Sequence, residues 1–155
     1  MKIFQKGNGR KLCILILTGL ICLILTGGCA SSIDDIKGLY KYEETVYNNP
    51  ASPYLVALDK DNEYLITEDS LTVIHKDGSE EKIAAKFEES EVDEASFASL
   101  FKPETIAPDI SGYKHRYEYS VDEQYRLYTM DGEVWLARCP GCIMGTIYRL
   151  VEVEE

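Results

Sequence analysis

Two cysteines in the run Arg138-Cys139-Pro140-Gly141-Cys142 are the densest local chemistry in the sequence. A Cys-x-x-Cys pair is redox-active when a strand delivers it to a helix N-terminus, which lowers the thiol pKa. Here the following residues, Ile143 to Leu150, read as strand, so the thioredoxin-like arrangement is incomplete. A zinc site needs about four ligands at suitable spacing. The chain offers only His75 and His115 besides the pair, and neither sits in a ligand-like pattern. No metal and no cofactor is expected. The reading preferred is a disulfide between Cys139 and Cys142, worth roughly 2 kcal/mol by loop closure. A thiol-disulfide redox protein is the enzyme alternative.

A third cysteine has a different setting. Residues 1–11 carry Lys2, Lys6, Arg10 and Lys11 and no acid, and Leu12 to Leu25 hold no charge at all. A basic stretch, an apolar stretch and then small residues is the layout of a secretory signal. Leu25-Thr26-Gly27-Gly28-Cys29 resembles the bacterial lipobox, where the residue before the cysteine is small. Gly28 meets that demand, while Thr26 is a mild departure from the commoner Leu. Cys22 follows Ile21, which is too large for that position. The resemblance implies cleavage after residue 28 and a diacylglyceryl thioether on Cys29. The competing reading is a retained span, but the apolar run is short of the ~20 residues a span needs. Two acyl chains suffice for stable anchoring where one does not.

Other candidates are weaker. Tyr113, Tyr117 and Tyr119 share parity on an expected strand and, with the only tryptophan, Trp135, form a candidate ligand surface. The competing role for such a face is half-buried core. Asp59 to Glu63 looks superficially like a calcium loop, but the sixth and twelfth positions are Tyr64 and Ser70 instead of Gly and Glu. It reads as a hairpin turn. Ser, His and Asp are present without a nucleophile elbow or other triad context. No catalytic motif is found, and an enzyme is not expected.

Composition bounds the function further. The first 28 residues contain four of the 16 Lys and Arg and none of the 27 acids, so residues 29–155 carry 12 bases against 27 acids, a formal charge of −15. That excludes nucleic acid, whose affinity rests on Lys and Arg against phosphate. It also disfavours adsorption to anionic headgroups. The acid excess solubilises the surface, or it serves a cationic partner such as a basic peptide.

The elements that must position these residues are mostly strands. The expectation is a mainly β domain: a small antiparallel barrel or sandwich of about eight to nine short strands with one short helix, preceded by an N-terminal signal helix. Strands are expected at 38–47, 54–58, 63–67, 71–75, 80–87, 113–120, 125–130, 133–138 and 145–153. Asp77-Gly78 and Asp131-Gly132 are tight type I′ hairpin signals. Ile83, Ala85 and Phe87 alternate with Lys82 and Lys86. The one helix is expected from a Ser90 N-cap, with Phe97, Leu100 and Phe101 as an apolar stripe. Closure into a barrel, with that helix plugging an end or crossing a gap, is preferred. The domains are then a signal peptide over 1–28, an acylated tether over 29–37 and a β-rich extracytoplasmic domain over 38–155.

At Val46–Tyr54, Ala107–Ala137 and Ile147–Glu152 the chain resembles small exported domains of low-GC Gram-positive bacteria. Some of these stand alone as lipoproteins. Others are appended to the outer-facing C-terminus of membrane metallopeptidase regulators of the beta-lactam-sensing type. The resemblance covers nearly all of the chain after the signal and rests on strand and turn patterns. It brings no active-site residues, and the peptidase part is missing here. Arg138–Cys142 departs from the family pattern. The resulting expectation is a lipid-anchored module on the outer face of the cell membrane that binds an unknown protein or small ligand in a sensory or accessory role. The alternatives are the redox protein and an acidic protein that sequesters cationic peptides.

Overall fold

The computed structural model describes residues 32–51, 54–138 and 145–154. The signal segment, Cys29, Cys139 and Cys142 lie outside the described residues. The domain is mainly β. Its strands are β1 (Gly38–Asn48), β2 (Glu63–Ile66), β3 (Ser70–Ile74), β4 (Glu80–Ala84), β5 (Glu89–Glu91), β6 (Arg116–Ser120), β7 (Tyr125–Met130), β8 (Glu133–Arg138) and β9 (Thr146–Glu152). Two short helices join them, α1 (Tyr54–Asp59) and α2 (Glu94–Ala98). All nine strands form one antiparallel sheet in the order β4-β3-β2-β1-β9-β8-β7-β6-β5, curled into a half-barrel.

The two hairpin signals give different turns. Asp131 and Gly132 both have positive φ, 49° and 93°, which is the type I′ pattern, and Met130 faces Glu133 across it. At the other, only Gly78 is positive, at 82°, so this is not the type I′ turn expected. The Gly78 N–H donates to the His75 carbonyl and the His75 N–H to that of Ser79, at 2.8 Å each. That is a type I turn followed by a left-handed glycine, the usual three-residue loop.

Two other expectations are corrected. Tyr54–Leu58 is not a strand. It begins α1, because a short apolar run fits either period and here the buried positions, Leu55 and Asp59, are four apart. The α2 helix starts at Asp93, whose carboxylate accepts the Ser96 N–H at 2.9 Å, and not at Ser90. Ser90 lies in β5 opposite Glu118. The expected stripe still packs: Phe97 and Phe101 are buried and Leu100 lies against the same cluster. The part of the expected tether that is described is folded. Ser32 and Asp35 form a capping box around the 3-10 turn Ile33–Ile36, and Ile36 is buried.

The sheet has two cores. The inner face packs Tyr64, Leu71, Tyr119, Leu127, Leu136 and Tyr148, each no more than 1% exposed. Ile36 closes this core near the start of β1, and Leu55 and Val56 of α1 sit at the opposite rim. The outer face of β7, β8 and β9 packs Tyr128, Met130, Trp135 and Ile147 under α2 and the chain that follows it.

The two sheet edges, β4 and β5, are halves of one extended run. Along β4 the odd residues bond β3: Ser79 pairs with His75, and Ala85 donates to the Asp69 carbonyl at 2.8 Å. Past Phe87 the even residues bond β6, with Val92 donating to the Arg116 carbonyl at 3.0 Å. A regular strand points odd and even backbone groups to opposite sides. The run therefore serves one neighbour with each half, and Ala85 and Phe87 fill the core between them.

Turn chemistry yields a stability prediction. Gly132→Ala places a Cβ at φ +93° and is expected to cost about 1–2 kcal/mol. Gly112→Ala meets open space at ordinary φ and is expected to be neutral or slightly stabilising, by about 0.4–1 kcal/mol. Urea midpoints of the two variants check this; equal midpoints would contradict it.

Candidate functional site

The sequence-derived surface residues separate onto the two faces of the sheet. Tyr117 and Tyr119 point inward, and the buried Tyr119 donates its hydroxyl to Glu89 Oε2 at 2.9 Å. Tyr113 and Trp135 lie on the outer side, ring centroids 5.6 Å apart and edge to face. Both donate to Glu133 Oε2, Tyr113 Oη at 3.2 Å and Trp135 Nε1 at 3.1 Å. The shared parity fails because the strand begins only at Arg116. Tyr113 ends a turn whose N–H returns to the Ile110 carbonyl, and Lys114 and His115 donate their N–H groups to Asp131. Those bonds hold the Asp131 carboxyl below its usual range.

Glu133 joins a larger outer network. Arg149 Nε donates to Glu43 Oε2 at 2.7 Å, its Nη2 lies 2.7 Å from Glu44, and its Nη1 lies 3.6 Å from Glu133. The bulges that place Glu43 and Glu44 on this side fall between Tyr42 and Tyr47 of β1. A cleft of about 410 Å³ borders the network, with Asp35, Glu43, Glu133, Arg149 and Glu152 on its walls. A second cleft, about 330 Å³, lies between β5 and α2. Phe97 and Leu100 line it with Ser90, Ser96, Glu91 and Glu118.

The deepest polar cluster is one that local spacing does not reveal. Asp59 ends α1 and is 4% exposed. It is not the hairpin turn residue expected of Asp59–Glu63. Arg138 Nη1 donates to Asp59 Oδ1 at 2.5 Å and Tyr148 Oη to Oδ2 at 2.9 Å. Tyr64 Oη donates to the Asp59 carbonyl at 3.3 Å, and Arg138 stacks over the Tyr125 ring at 5.8 Å. Burial, and then the Asp59 charge, push the Tyr64 and Tyr148 phenols far above the ordinary range. Burial opposes the Arg138 charge, but the Asp59 hydrogen bond and charge outweigh it. Each carboxylate oxygen accepts one of these bonds, and burial favours the protonated form of both phenols. The cluster fastens α1 to the β8–β9 pair. Its members stand 79 and 89 residues apart, beyond any motif.

Among the described residues no three His, Cys, Asp or Glu side chains gather as a metal site. His75 borders the Lys76–Ser79 turn, and His115 lies at the opposite rim beside Asp131. No described helix is long and apolar enough to cross a membrane. Compared with protein-family models, curated proteins and solved structures, the chain gives no significant match.

Two predictions follow from the inner cluster. Asp59→Ala strands the Arg138 charge and is expected to cost about 2–4 kcal/mol, whereas Asp59→Leu with Arg138→Met is expected to fall much nearer neutral. Chemical denaturation of both variants decides, and equal losses would contradict a desolvated pair. Raised phenols bind protons more tightly folded than unfolded. Stability is therefore expected to hold up to about pH 10 and to fall above it as unfolded tyrosines ionise. Absorbance at alkaline pH should show Tyr64 and Tyr148 ionising only as the fold is lost; early titration of every tyrosine would contradict this.

Proposed function

We propose that the protein is an extracytoplasmic lipoprotein, held by diacylglyceryl-Cys29 at the outer face of the cell membrane, and that it acts there as a binding or sensory accessory module. Its partner is a protein or small ligand that meets the outside of the half-barrel. The observation that carries the reading is the lipobox-like stretch Leu25–Cys29, placed in the sequence directly before a folded unit whose interior is filled. A barrel of about eight strands has room inside for side chains or for one small ligand, not both. Here Tyr64, Tyr119, Leu127, Leu136 and Tyr148 take that space. The outer clefts and the acid excess remain as contact surfaces.

The anchor would be short. From Cys29 to the capping residue Ser32 is three residues, at most about 11 Å of extended chain. The rim carrying Ile33–Ile36 then lies beside the bilayer, and the rim carrying α1 and the Lys76–Ser79 turn faces outward.

Intact mass of protein extracted from its own membranes, without reductant, tests this. The expected species begins at Cys29 with a diacylglyceryl adduct, and a full-length unmodified chain would overturn the anchor. The same spectrum after reduction and alkylation reads Cys139 and Cys142. A bridge that opens only on reduction is expected, whereas free low-pKa thiols would favour the redox alternative. Crosslinking on intact cells is expected to capture a specific partner, and capture of none would count against a binding module.

A further inference from the structure

We propose that the free edge of β5 is a docking site for an extended basic peptide, which adds to the sheet as a strand; this rests on the binding-module reading above. Strand addition uses unpaired backbone groups for affinity and neighbouring side-chain pockets for specificity. The β5 edge has both. Since Ser90 and Val92 bond β6, the N–H and C=O groups of Glu89 and Glu91 point away from it. The last bond to β3 is made at Ala85, and among the described residues no strand pairs with that side of β5.

Charge identifies the occupant. Glu88, Glu89 and Glu91 are exposed, Glu88 beside Lys86 at 3.4 Å, and Glu94 and Glu118 flank them, paired with Arg116 at 3.1 Å and Arg126 at 3.7 Å. Charged side chains at an edge, lysine above all, deter unselective pairing. A run of glutamates repels acidic strands and a second copy of this chain, whose own β5 would set glutamate against glutamate. It favours a strand carrying Lys or Arg. The cleft beside α2 suits such a side chain: Phe97 and Leu100 take the methylene stem, and Glu118, on the same face of the sheet, meets the charged head.

The test uses a fluorescent peptide alternating Lys and Val, the detergent-extracted protein, and two variants at one position. Glu91→Pro deletes a free-edge donor while leaving the β6 ladder intact, because the lost N–H points outward. Glu91→Gln deletes the charge and keeps the donor. Anisotropy is expected to show about tenfold weaker binding for Glu91→Pro, one hydrogen bond plus a steric block. Glu91→Gln is expected to weaken binding only about two- to fivefold. Equal effects from the two variants, or none, would reduce the contact to charge adsorption and overturn strand addition. If Glu91→Pro fails to fold, the wild type is compared with a backbone N-methylated peptide of the same sequence: loss of binding supports the proposal, and equal binding sinks it. No binding of the parent peptide also sinks it. A partner crosslinked in cells that binds Glu91→Pro as well as wild type would remove this site while leaving the binding-module reading standing.

Discussion

The structure depends on one run of chain that supplies both edges of a sheet with an odd number of strands. β1 pairs antiparallel with β9, so the chain must alternate direction an even number of times around the curl. Nine separate strands cannot satisfy that. Glu80 to Val92 resolves it by running in one direction and changing partner midway, from β3 to β6. Counted as one, β4 and β5 make eight. The hydrophobic alternation of Ile83, Ala85 and Phe87 carries the run across the gap, since each turns into the same core. The cost is a strand whose halves each have an unpaired side.

That geometry decides the interior. A curl of this circumference leaves space for side chains, and tyrosine suits it, giving bulk to the core and a hydroxyl to the rim. Tyr119 reaches Glu89, while Tyr64 and Tyr148 reach Asp59. Asp59 with Arg138 then fixes α1 over the rim. A buried pair of this kind adds little net stability compared with apolar residues, but it penalises any arrangement that separates its members. It thereby sets where the short helix docks. With the interior filled and the rim locked, the surface open to contact is the exterior.

The strands were legible where alternation and turn chemistry agree, as at Tyr125–Met130, Asp131-Gly132 and Glu133–Arg138. Each signal there is local and each has one solution. Tyr54–Leu58 reads as strand from sequence because five apolar residues carry no period. What makes them helical is the docking of Leu55 and Asp59 onto strands far away in sequence. Ser90 was misread as a cap for a related reason. Serine suits both an N-cap and an exposed strand, and pairing with Glu118 on β6 decided it. The candidate tyrosines were recognised as one set by a parity that holds only within a strand, and Tyr113 lies before β6 begins. The Asp59 cluster had no local signature, because its residues meet only after the sheet has curled.

The acid excess also separates by residue type. All ten aspartates, Asp34 to Asp131, have a hydrogen-bond or ion-pair partner within the fold. Asp35, Asp77, Asp93, Asp109, Asp122 and Asp131 accept backbone N–H groups at turns and caps. Asp69 takes the Thr67 hydroxyl, Asp34 and Asp61 pair with lysines, and Asp59 with Arg138. Aspartate suits this because its carboxylate reaches its own backbone two or three residues on. Glutamate, one methylene longer, does so less readily, and here the glutamates pair with side chains or stand in solvent. The aspartate charge is thus drawn into the architecture. The field seen by an approaching partner comes mainly from glutamates, dense at Glu43-Glu44, Glu80-Glu81 and Glu88 to Glu91. Two of these three clusters lie at the two ends of the partner-switching run. The segment that supplies both edges of the half-barrel is therefore also the one that carries the outward charge, and its edge is the part of the sheet left unpaired.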